Sequence, residues 1–302
     1  MQAKPPVNHL PPYAPFVWIA SFPKSGNTWF LNFLHAFLRH STGLSDSEVS
    51  ATYFTTIASD RKQFDNRLGV PSADLTSDEI DLLRPQLHRA VVKDLATDGP
   101  LFAKAHDAYI KNSAGDYLIP PDVSRAAIYL VRNPLDVAVS FHFYSGTDNV
   151  GDLVDQMTEG DHIIGGNELP QLQQNLVNWS EHYLGWTTQT GIPTLIVRYE
   201  DLLDAPALWF GRSVEFLALD GAEDIDLINK AIEDSNFERM QKNEAIYYPH
   251  GMWSKTGQFY RKGKAGDWRN HLTEAQASRI IETHRDVMTQ LDYLDETGAP
   301  RF

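Results

Sequence analysis

The chain has 302 residues, of which 42% are hydrophobic and 11% aromatic, so it can build a full core. Its 26 basic residues face 40 acidic ones, and the net charge of −14 argues against general binding to nucleic acid or anionic membranes. The absence of cysteine excludes disulfides and thiol nucleophiles, and the 11 histidines lack metal-site spacing, so we expect no bound metal.

Residues 1–15 form a Pro-rich N-terminal arm with five prolines and no apolar core of a signal peptide. No apolar run approaches the roughly 18 residues that a membrane span requires. We therefore expect a cytoplasmic protein without a membrane span.

Short apolar runs predict strands at Phe16–Phe22, Leu101–Ala105, Ala126–Val131 and Pro193–Tyr199. Helices are predicted at Thr28–His40, Leu135–Tyr144, Leu169–Thr188, Ala207–Leu217, Ile225–Glu233 and from Glu274 to about Leu291. Thr273 is the expected N-cap of the last helix. The alternation predicts a three-layer α/β/α fold with a mostly parallel central sheet, formed by a single domain over residues 1–302. The polar stretches 42–99 and 147–170 are interpreted as helical or loop insertions.

A tight loop, Pro23–Trp29, joins the first predicted strand to the first predicted helix. Loop amides and a helix N-terminus that point at one spot make an anion site, to which Lys24 adds a charge and Thr28 a hydroxyl. In the P-loop that binds nucleoside triphosphates, G-x-x-x-x-G-K-[ST], the lysine follows the glycine and stands directly before the Ser or Thr. In this loop Lys24 instead precedes Gly26. The loop is therefore P-loop-like, and we expect it to hold a phosphate-like group without being built for ATP or GTP.

Two further segments point to anions. Arg132 follows the third predicted strand, with Ser140 in the next helix; it either holds a second phosphate or forms a salt bridge at the helix start. Residues 260–270 contain four cations and two glycines, which predicts a flexible basic clamp in an otherwise acidic chain. The irregular stretch 241–266 that includes the start of this clamp is predicted to be a lid.

Together these segments closely resemble the cytosolic-type sulfotransferase family, whose donor is 3′-phosphoadenosine 5′-phosphosulfate (PAPS). The family's P-K-S-G-x-T-W loop is here Pro23–Trp29, its R-N-P-x-D-x-x-x-S element is Arg132–Ser140, and its R-K-G-x-x-G-D-W segment is Arg261–Trp268. Their order and spacing match from Phe16 to Thr273.

The resemblance implies how the donor, a co-substrate, is held. The residues implied for the 5′-phosphosulfate are Lys24, Ser25, Gly26, Asn27 and Thr28, with Trp29 stacking near the adenine. Those implied for the 3′-phosphate are Arg132, Ser140, Arg261, Lys262 and Gly263. Those implied for the adenine are Tyr199, in the family's Y-E-D-[LM] pattern, and Ser235 and Phe237 in its S/T-x-F pattern. Tyr199 alone is equally compatible with a core strand residue.

The resemblance also implies the catalytic residues, because Lys104-Ala105-His106 matches the family's K-x-H at a strand end. His106 would remove the proton from a hydroxyl as its oxygen attacks sulfur in line. Lys24 would stabilise the charge that grows on the bridging oxygen, with help from Lys104 and without a metal. The expected partner is a small-molecule alcohol or phenol as the acceptor.

Several alternatives remain open at this stage. The acceptor of the sulfuryl group could be a carbohydrate or another protein. Alternatively, the chain itself could be a P-loop-type kinase or a non-catalytic nucleotide-binding module. Aromatic residues that either line an acceptor pocket or pack the core and lid are Phe22, Phe141, Phe143, Tyr144, Tyr247, Tyr248 and Trp253. The animal enzymes of this family have a dimer element, K-x-x-x-T-V-x-x-x-E. In this chain Glu274 stands in place of its valine and Ser278 in place of its final acid, which argues against dimerisation by that route.

Overall fold

A central parallel sheet organises the computed structural model, which describes residues 14–94, 99–160, 162–166, 169–244 and 259–302. Its strands are β1 (Phe16–Ser21), β2 (Leu101–Ala105), β3 (Ser124–Val131) and β6 (Thr194–Arg198), in the order β2-β1-β3-β6. A small antiparallel pair is formed by β4 (Ile163–Ile164) and β5 (Gln174–Asn175).

The α-helices of the described residues are α1 (Asn27–Thr42), α2 (Asp46–Tyr53), α3 (Arg61–Leu68), α4 (Ser77–Lys93), α5 (Pro134–Ser145), α6 (Val150–Glu159), α7 (Trp179–Thr188), α8 (Tyr199–Asp204), α9 (Pro206–Phe216), α10 (Ile225–Asp234), α11 (Phe237–Lys242) and α12 (Glu274–Gln290). Short 3₁₀ turns occur at Ser72–Asp74, Pro121–Val123 and Asp267–Asn270. No helix within the described ranges has the length and apolarity needed to cross a membrane.

Both faces of the sheet are covered, because alternate side chains of each strand enter different cores. Along β1, Phe16 and Trp18 pack into a core that includes residues of α4, α5, α6, α7 and α12. Val17 and Ile19 pack into a second core with residues of α1, α9 and α10. This arrangement confirms the predicted α/β/α fold with a parallel central sheet.

The predicted strands are confirmed with ends that shift by at most two residues, and so are all predicted helices except one. Thr273 caps α12 as expected, since its hydroxyl accepts from the Gln276 N–H while the Gln276 side chain accepts from the Thr273 N–H. The stretch 42–99 contains three helices, α2 to α4, as predicted for a helical insertion.

The predicted helix Leu169–Thr188 is wrong in its first half, because α7 begins only at Trp179. Leu172 and Leu176 are fully buried, and their spacing of four imitates a helical face. Their backbone N–H groups instead donate to the carbonyls of Ser59 and His162, at 2.7 and 2.8 Å. Long-range hydrogen bonds thus hold this segment outside the helix.

Tyr199 was predicted to end the last strand, but it is the first residue of α8. β6 ends at Arg198, whose side chain bonds to Asp201 in the first turn of α8, with Nη2 2.9 Å from Oδ1. The turn directly after the strand therefore brings Tyr199 to the carboxyl edge of the sheet.

Candidate functional site

One cavity of about 500 Å³ lies at the carboxyl ends of the parallel strands. The chain passes from β1 to β2 on one side and then returns to β3 on the other side of β1. Open α/β sheets bind ligands where the strand order reverses in this way. The sequence-predicted residues that line the cavity are Lys24, Gly26, Asn27, Thr28, Trp29, Lys104, His106, Arg132, Ser140, Tyr199, Phe237, Arg261, Lys262 and Gly263.

The cavity wall is positive in a chain whose net charge is −14. Its basic residues are Lys24, Lys104, Arg132, Arg261, Lys262 and Lys264, and its acidic residue is Asp60. Cations gathered at a concave surface raise the local concentration of anions. The charge of this wall suits an anionic ligand.

The loop after β1 is shaped by two residues with left-handed backbone conformation, Lys24 at φ 70° and Gly26 at φ 100°. A Cβ atom at position 26 would lie 2.8 Å from Cδ2 of Tyr199, so glycine is required both by its φ and by this close approach. Gly26 is also the N-cap of α1 and offers no side-chain cap, which leaves the first amides of the helix for a ligand. The Ser25 hydroxyl, fully buried beside them, has no hydrogen-bond partner among the described residues.

Lys24 lies between two aromatic rings, with Nζ 4.3 Å from the ring centroids of both Tyr144 and Phe259. Burial, reinforced by the positive charges of Lys104 and Arg132, lowers the pKa of Lys24 to about 7. Burial likewise lowers the pKa of Lys104 to about 8. The Glu244 carboxylate opposes the shift at Lys24 only in part, and a bound anion would supply further negative charge to both ammonium groups.

Arg132 connects two parts of the wall. Its guanidinium donates to the carbonyl oxygens of Lys24 and Lys264, at 3.2 and 3.0 Å, and lies 4.4 Å above the Tyr199 ring centroid. No carboxylate among the described residues forms a salt bridge with it, and its buried Nε has no hydrogen-bond partner there. The salt-bridge alternative from the sequence therefore does not hold within the described chain.

The basic clamp is ordered by an acid within its own sequence. Arg261 and Lys262 bond to the two carboxylate oxygens of Asp267, at 2.5 and 2.6 Å. Although burial opposes it, these hydrogen bonds hold the pKa of Asp267 well below its usual range. Gly263, at φ 62°, fits because a Cβ there would lie 2.5 Å from the Phe237 ring. The clamp thus presents its cations to the cavity in a defined conformation.

His106 is oriented by the strand beside it. Its Nδ1 lies 2.8 Å from the carbonyl oxygen of Ser21, which only accepts hydrogen bonds, so Nδ1 carries the proton. Burial, together with the positive charge of Lys104, holds the pKa of His106 well below its ordinary value. The ring is therefore neutral, and its Nε2 carries the lone pair that can accept a proton.

Some predicted residues do not line the cavity. Ser25 and Ser235 are buried beside it, and the Ser235 hydroxyl donates to the Ala231 carbonyl at 2.8 Å. Phe22 packs against the rings of His162 and His182 in the core.

Among the other aromatics, Phe141, Phe143 and Tyr144 do line the cavity. Tyr247, Tyr248, Trp253 and residues 245–258 of the predicted lid lie outside the described residues.

The side chain of Asn27 is bonded within the protein. Its side-chain amide donates to the Ile19 carbonyl at 2.6 Å and to the Ser21 hydroxyl at 3.3 Å. The side chain of Asn27 therefore ties the start of α1 to the end of β1, which leaves its backbone as the part that can face a ligand.

The sequence reasoning missed the acids that hold the site together. Asp136, in the first turn of α5, accepts from the backbone N–H groups of Gly266 and Trp268, at 2.7 and 3.1 Å. Buried Glu200 accepts from the Asn133 N–H at 3.1 Å. Asp136 and Asp267 lie inside the recognised motifs, and an acid within an otherwise anion-directed segment was the available signal.

Comparison with known proteins identifies the family. The profile of the family described as "Sulfotransferase domain" matches residues 14–292. The chain belongs to this sulfotransferase domain family.

No described group of three or more His, Cys, Asp or Glu residues is arranged to hold a metal ion.

Among curated relatives, a 3-alpha-hydroxysteroid sulfotransferase of Cavia porcellus is 30% identical over 53% of this chain and 55% of its own length. The first relatives found are matched over only about half of their length. Sulfotransferase 1B1 of Canis lupus familiaris is 26% identical over 90% of this chain and 82% of its own length.

Solved structures share the fold at lower identity. Mouse sulfotransferase SULT7A1 complexed with PAP has a TM-score of 0.59 and 20% identity, over 94% of this chain and 86% of the other. Retinol dehydratase in complex with androsterone and inactive cofactor PAP has a TM-score of 0.62 and 21% identity, over 95% and 84%. A third structure contains retinol dehydratase with retinol and PAP.

Proposed function

We propose that this protein transfers a sulfuryl group from PAPS to the hydroxyl of a small-molecule alcohol or phenol. Membership of the sulfotransferase domain family supports the reaction class. The observation that carries the proposal is the hydrogen bond from His106 Nδ1 to the Ser21 carbonyl, which makes Nε2 the proton-accepting nitrogen in the same cavity as Lys24 and the anion loop. A base beside an anion site is what hydroxyl sulfation requires.

The wall fits a donor with anionic groups at both ends. The loop amides after β1, with Lys24 and Thr28, would hold the 5′-phosphosulfate. Arg132 and Ser140, with the clamp residues Arg261, Lys262 and Gly263, would hold the 3′-phosphate by charge-assisted hydrogen bonds. The aromatic rings of Trp29, Tyr199 and Phe237 offer surfaces for the adenine. The adenine contact of Ser235 stays a prediction, since its buried hydroxyl donates to the Ala231 carbonyl.

The donor supplies the sulfuryl group, whose bond to the bridging phosphate oxygen breaks as the acceptor oxygen bonds to sulfur. His106 takes the hydroxyl proton onto Nε2, which makes the acceptor oxygen a better nucleophile. Lys24 stabilises the negative charge that the bridging oxygen acquires as it leaves, and Lys104 adds positive charge nearby. The leaving nucleotide is 3′-phosphoadenosine 5′-phosphate (PAP).

The acceptor side of the cavity favours an apolar molecule with one hydroxyl. Ile57, Phe141 and Tyr144 contribute apolar surface to the same wall as His106. The segment before Ile57 runs along β2, since Thr55 N–H donates to the Phe102 carbonyl at 3.0 Å. Androsterone and retinol, seen with the structural relatives, belong to this chemical class.

The test is a screen with sulfur-labelled PAPS against a panel of sterols, phenols, sugars and tyrosine peptides, run beside γ-labelled ATP with and without EDTA. We expect label on a sterol or phenol from PAPS, none from ATP, and no effect of EDTA. Transfer from ATP, or label on sugars or peptides alone, would contradict the proposal.

His106→Ala is the matched variant for this screen. We expect turnover to fall by about 10²–10⁴-fold, the usual contribution of a general base, because the acceptor hydroxyl then loses its proton acceptor at this position. The dissociation constant of PAP, measured by calorimetry, should change little. Near wild-type turnover in this variant would remove His106 from the mechanism.

A further inference from the structure

The backbone at His106 is held from behind by one helix. His182 Nε2 lies 2.9 Å from the carbonyl oxygen of His106, and Trp186 Nε1 lies 3.0 Å from the carbonyl oxygen of Asp107. His182 and Trp186 are four residues apart on α7, so they point from the same face. Two successive carbonyls at the end of β2 are therefore fixed by side chains of a single element.

Two hydrogen bonds define which nitrogen of His182 carries the proton. The His182 Nε2 must donate, because the carbonyl of His106 only accepts. Nδ1 of His182 then accepts from the Tyr129 hydroxyl, at 2.8 Å. Burial lowers the pKa of His182 to about 4, so the ring stays neutral and keeps one donor and one acceptor.

The residue after His106 is anchored independently. Arg84, fully buried in α4, bonds to both carboxylate oxygens of Asp107, at 2.6 and 2.5 Å. At the ring, the Ser21 carbonyl holds Nδ1 of His106. Hydrogen bonds thus hold both the imidazole ring and the backbone of His106. The bond to the His106 backbone itself comes from His182.

We propose that His182 is a positioning residue for His106: it donates to the His106 carbonyl and thereby holds the imidazole at the angle at which Nε2 faces the cavity. This inference rests on the proposed role of His106 as the base. Reacting groups need placement within about 0.5 Å, and supporting hydrogen bonds supply it. An apolar side chain of similar volume would fill the core but leave the His106 carbonyl without its donor.

The test compares three variants with the wild-type protein. His182→Leu removes both hydrogen bonds, whereas His182→Gln keeps one donor and one acceptor. His284→Leu is the control, because His284 is as buried as His182 but is not among the residues that line the cavity. Among the described side chains, its hydrogen-bond partner is the Ser180 hydroxyl, with Nδ1 2.8 Å from Oγ.

We expect kcat to fall at least tenfold in His182→Leu, with the KM for PAPS and the dissociation constant of PAP within about twofold of wild type. His182→Gln should recover kcat to within about threefold, and His284→Leu should keep kcat within about twofold despite a comparable loss of thermal stability. A folded His182→Leu whose kcat equals that of His284→Leu overturns the inference.

A second readout needs no acceptor. In long-range proton–nitrogen NMR spectra of ¹⁵N-histidine protein, the His106 signals, assigned with His106→Ala, should show only the Nδ1–H tautomer. His182→Leu should shift these signals toward a tautomer mixture, because a ring released from its fixed angle loses the Nδ1–H bond to the Ser21 carbonyl, whereas His182→Gln should leave them unchanged.

The two proposals fail in different ways. Absence of sulfuryl transfer by the wild-type protein contradicts the proposed function, and the NMR comparison still decides the role of His182. If His182→Leu does not fold, His182→Asn decides, because its shorter amide reaches the place of Nδ1 and not that of Nε2: unchanged His106 signals overturn the inference.

Discussion

At the scale of single residues, Lys24 lies where its own charge is disfavoured. Burial and the cations Lys104, Arg132 and Arg261 lower its pKa to about 7, and the nearby carboxylate of Glu244 only partly opposes them. An ammonium in this position gains its counter-charge from a bound anion, which raises its pKa again. Binding of an anionic nucleotide and protonation of Lys24 are therefore linked.

Calorimetric titration of PAP at pH 8 should detect this linkage as proton uptake. Lys24 is mostly neutral at that pH in the free protein and becomes charged in the complex, so heat should depend on the ionisation enthalpy of the buffer. We expect an uptake approaching one proton, with a smaller share from Lys104, and a dissociation constant that rises between pH 7 and pH 9.

Lys24→Met should lose most of this uptake, and Lys24→Arg should lose it while it keeps a positive charge. An uptake of zero in the wild-type protein, or an equal uptake in Lys24→Met, would show that the linkage does not involve this lysine.

At the scale of elements, the sequence predicted what local patterns determine. The strands, most helices and the capping residue Thr273 follow from apolar periodicity and from side chains a few positions apart. The start of α7 could not be predicted in this way. Leu172 and Leu176 look helical by spacing, and only their hydrogen bonds to Ser59 and His162 decide otherwise.

The same limit applies to the site. The loop after β1, Arg132 and His106 were predicted because each lies at a strand end within a compact motif. The contacts of Asp136, Glu200 and His182 were not, since each bonds to a residue that is distant in sequence. Motifs reveal which residues could meet a ligand, and tertiary contacts reveal which residues hold them.

Asp136 provides a test of how α5 supports the clamp. Asp136→Ala removes the acceptor of the Gly266 and Trp268 N–H groups while leaving the cationic side chains in place. Because a hydrogen bond to a charged group contributes about 1.5–3 kcal/mol, we expect PAP to bind roughly tenfold or more weakly. Equilibrium titration with PAP gives the measurement.

The control for this variant is Asp226→Ala, which also removes an acid from the first turn of a helix but lies outside the cavity wall. It separates the clamp effect from the general loss of charge at a helix N-terminus. Equal affinities for PAP in the two variants would contradict a supporting role for Asp136.

At the scale of the whole molecule, a protein with a net charge of −14 concentrates six basic residues around one cavity. This concentration opposes folding when no ligand is bound, since Lys24 and Lys104 are held at pKa values of about 7 and 8. In the unfolded chain their pKa values return to about 10.4.

Stability without ligand should therefore rise with pH in a defined window. Between pH 7 and pH 10 the unfolded state binds more protons at these lysines than the folded state does, so the free energy of unfolding increases with pH. Thermal melting at several pH values should show this rise in the wild-type protein. The double variant Lys24→Met/Lys104→Met should show a flatter curve, and parallel curves would contradict the assignment.

The guanidinium of Arg132 bonds to carbonyls that lie 108 and 132 positions away along the chain. A chain that grows from its N-terminus has therefore made all four parallel strands before it makes the last wall of the cavity. The cavity is complete only after residue 264 has packed against Arg132. PAP should consequently slow the unfolding of the finished protein, with little effect on the rate at which the chain first folds.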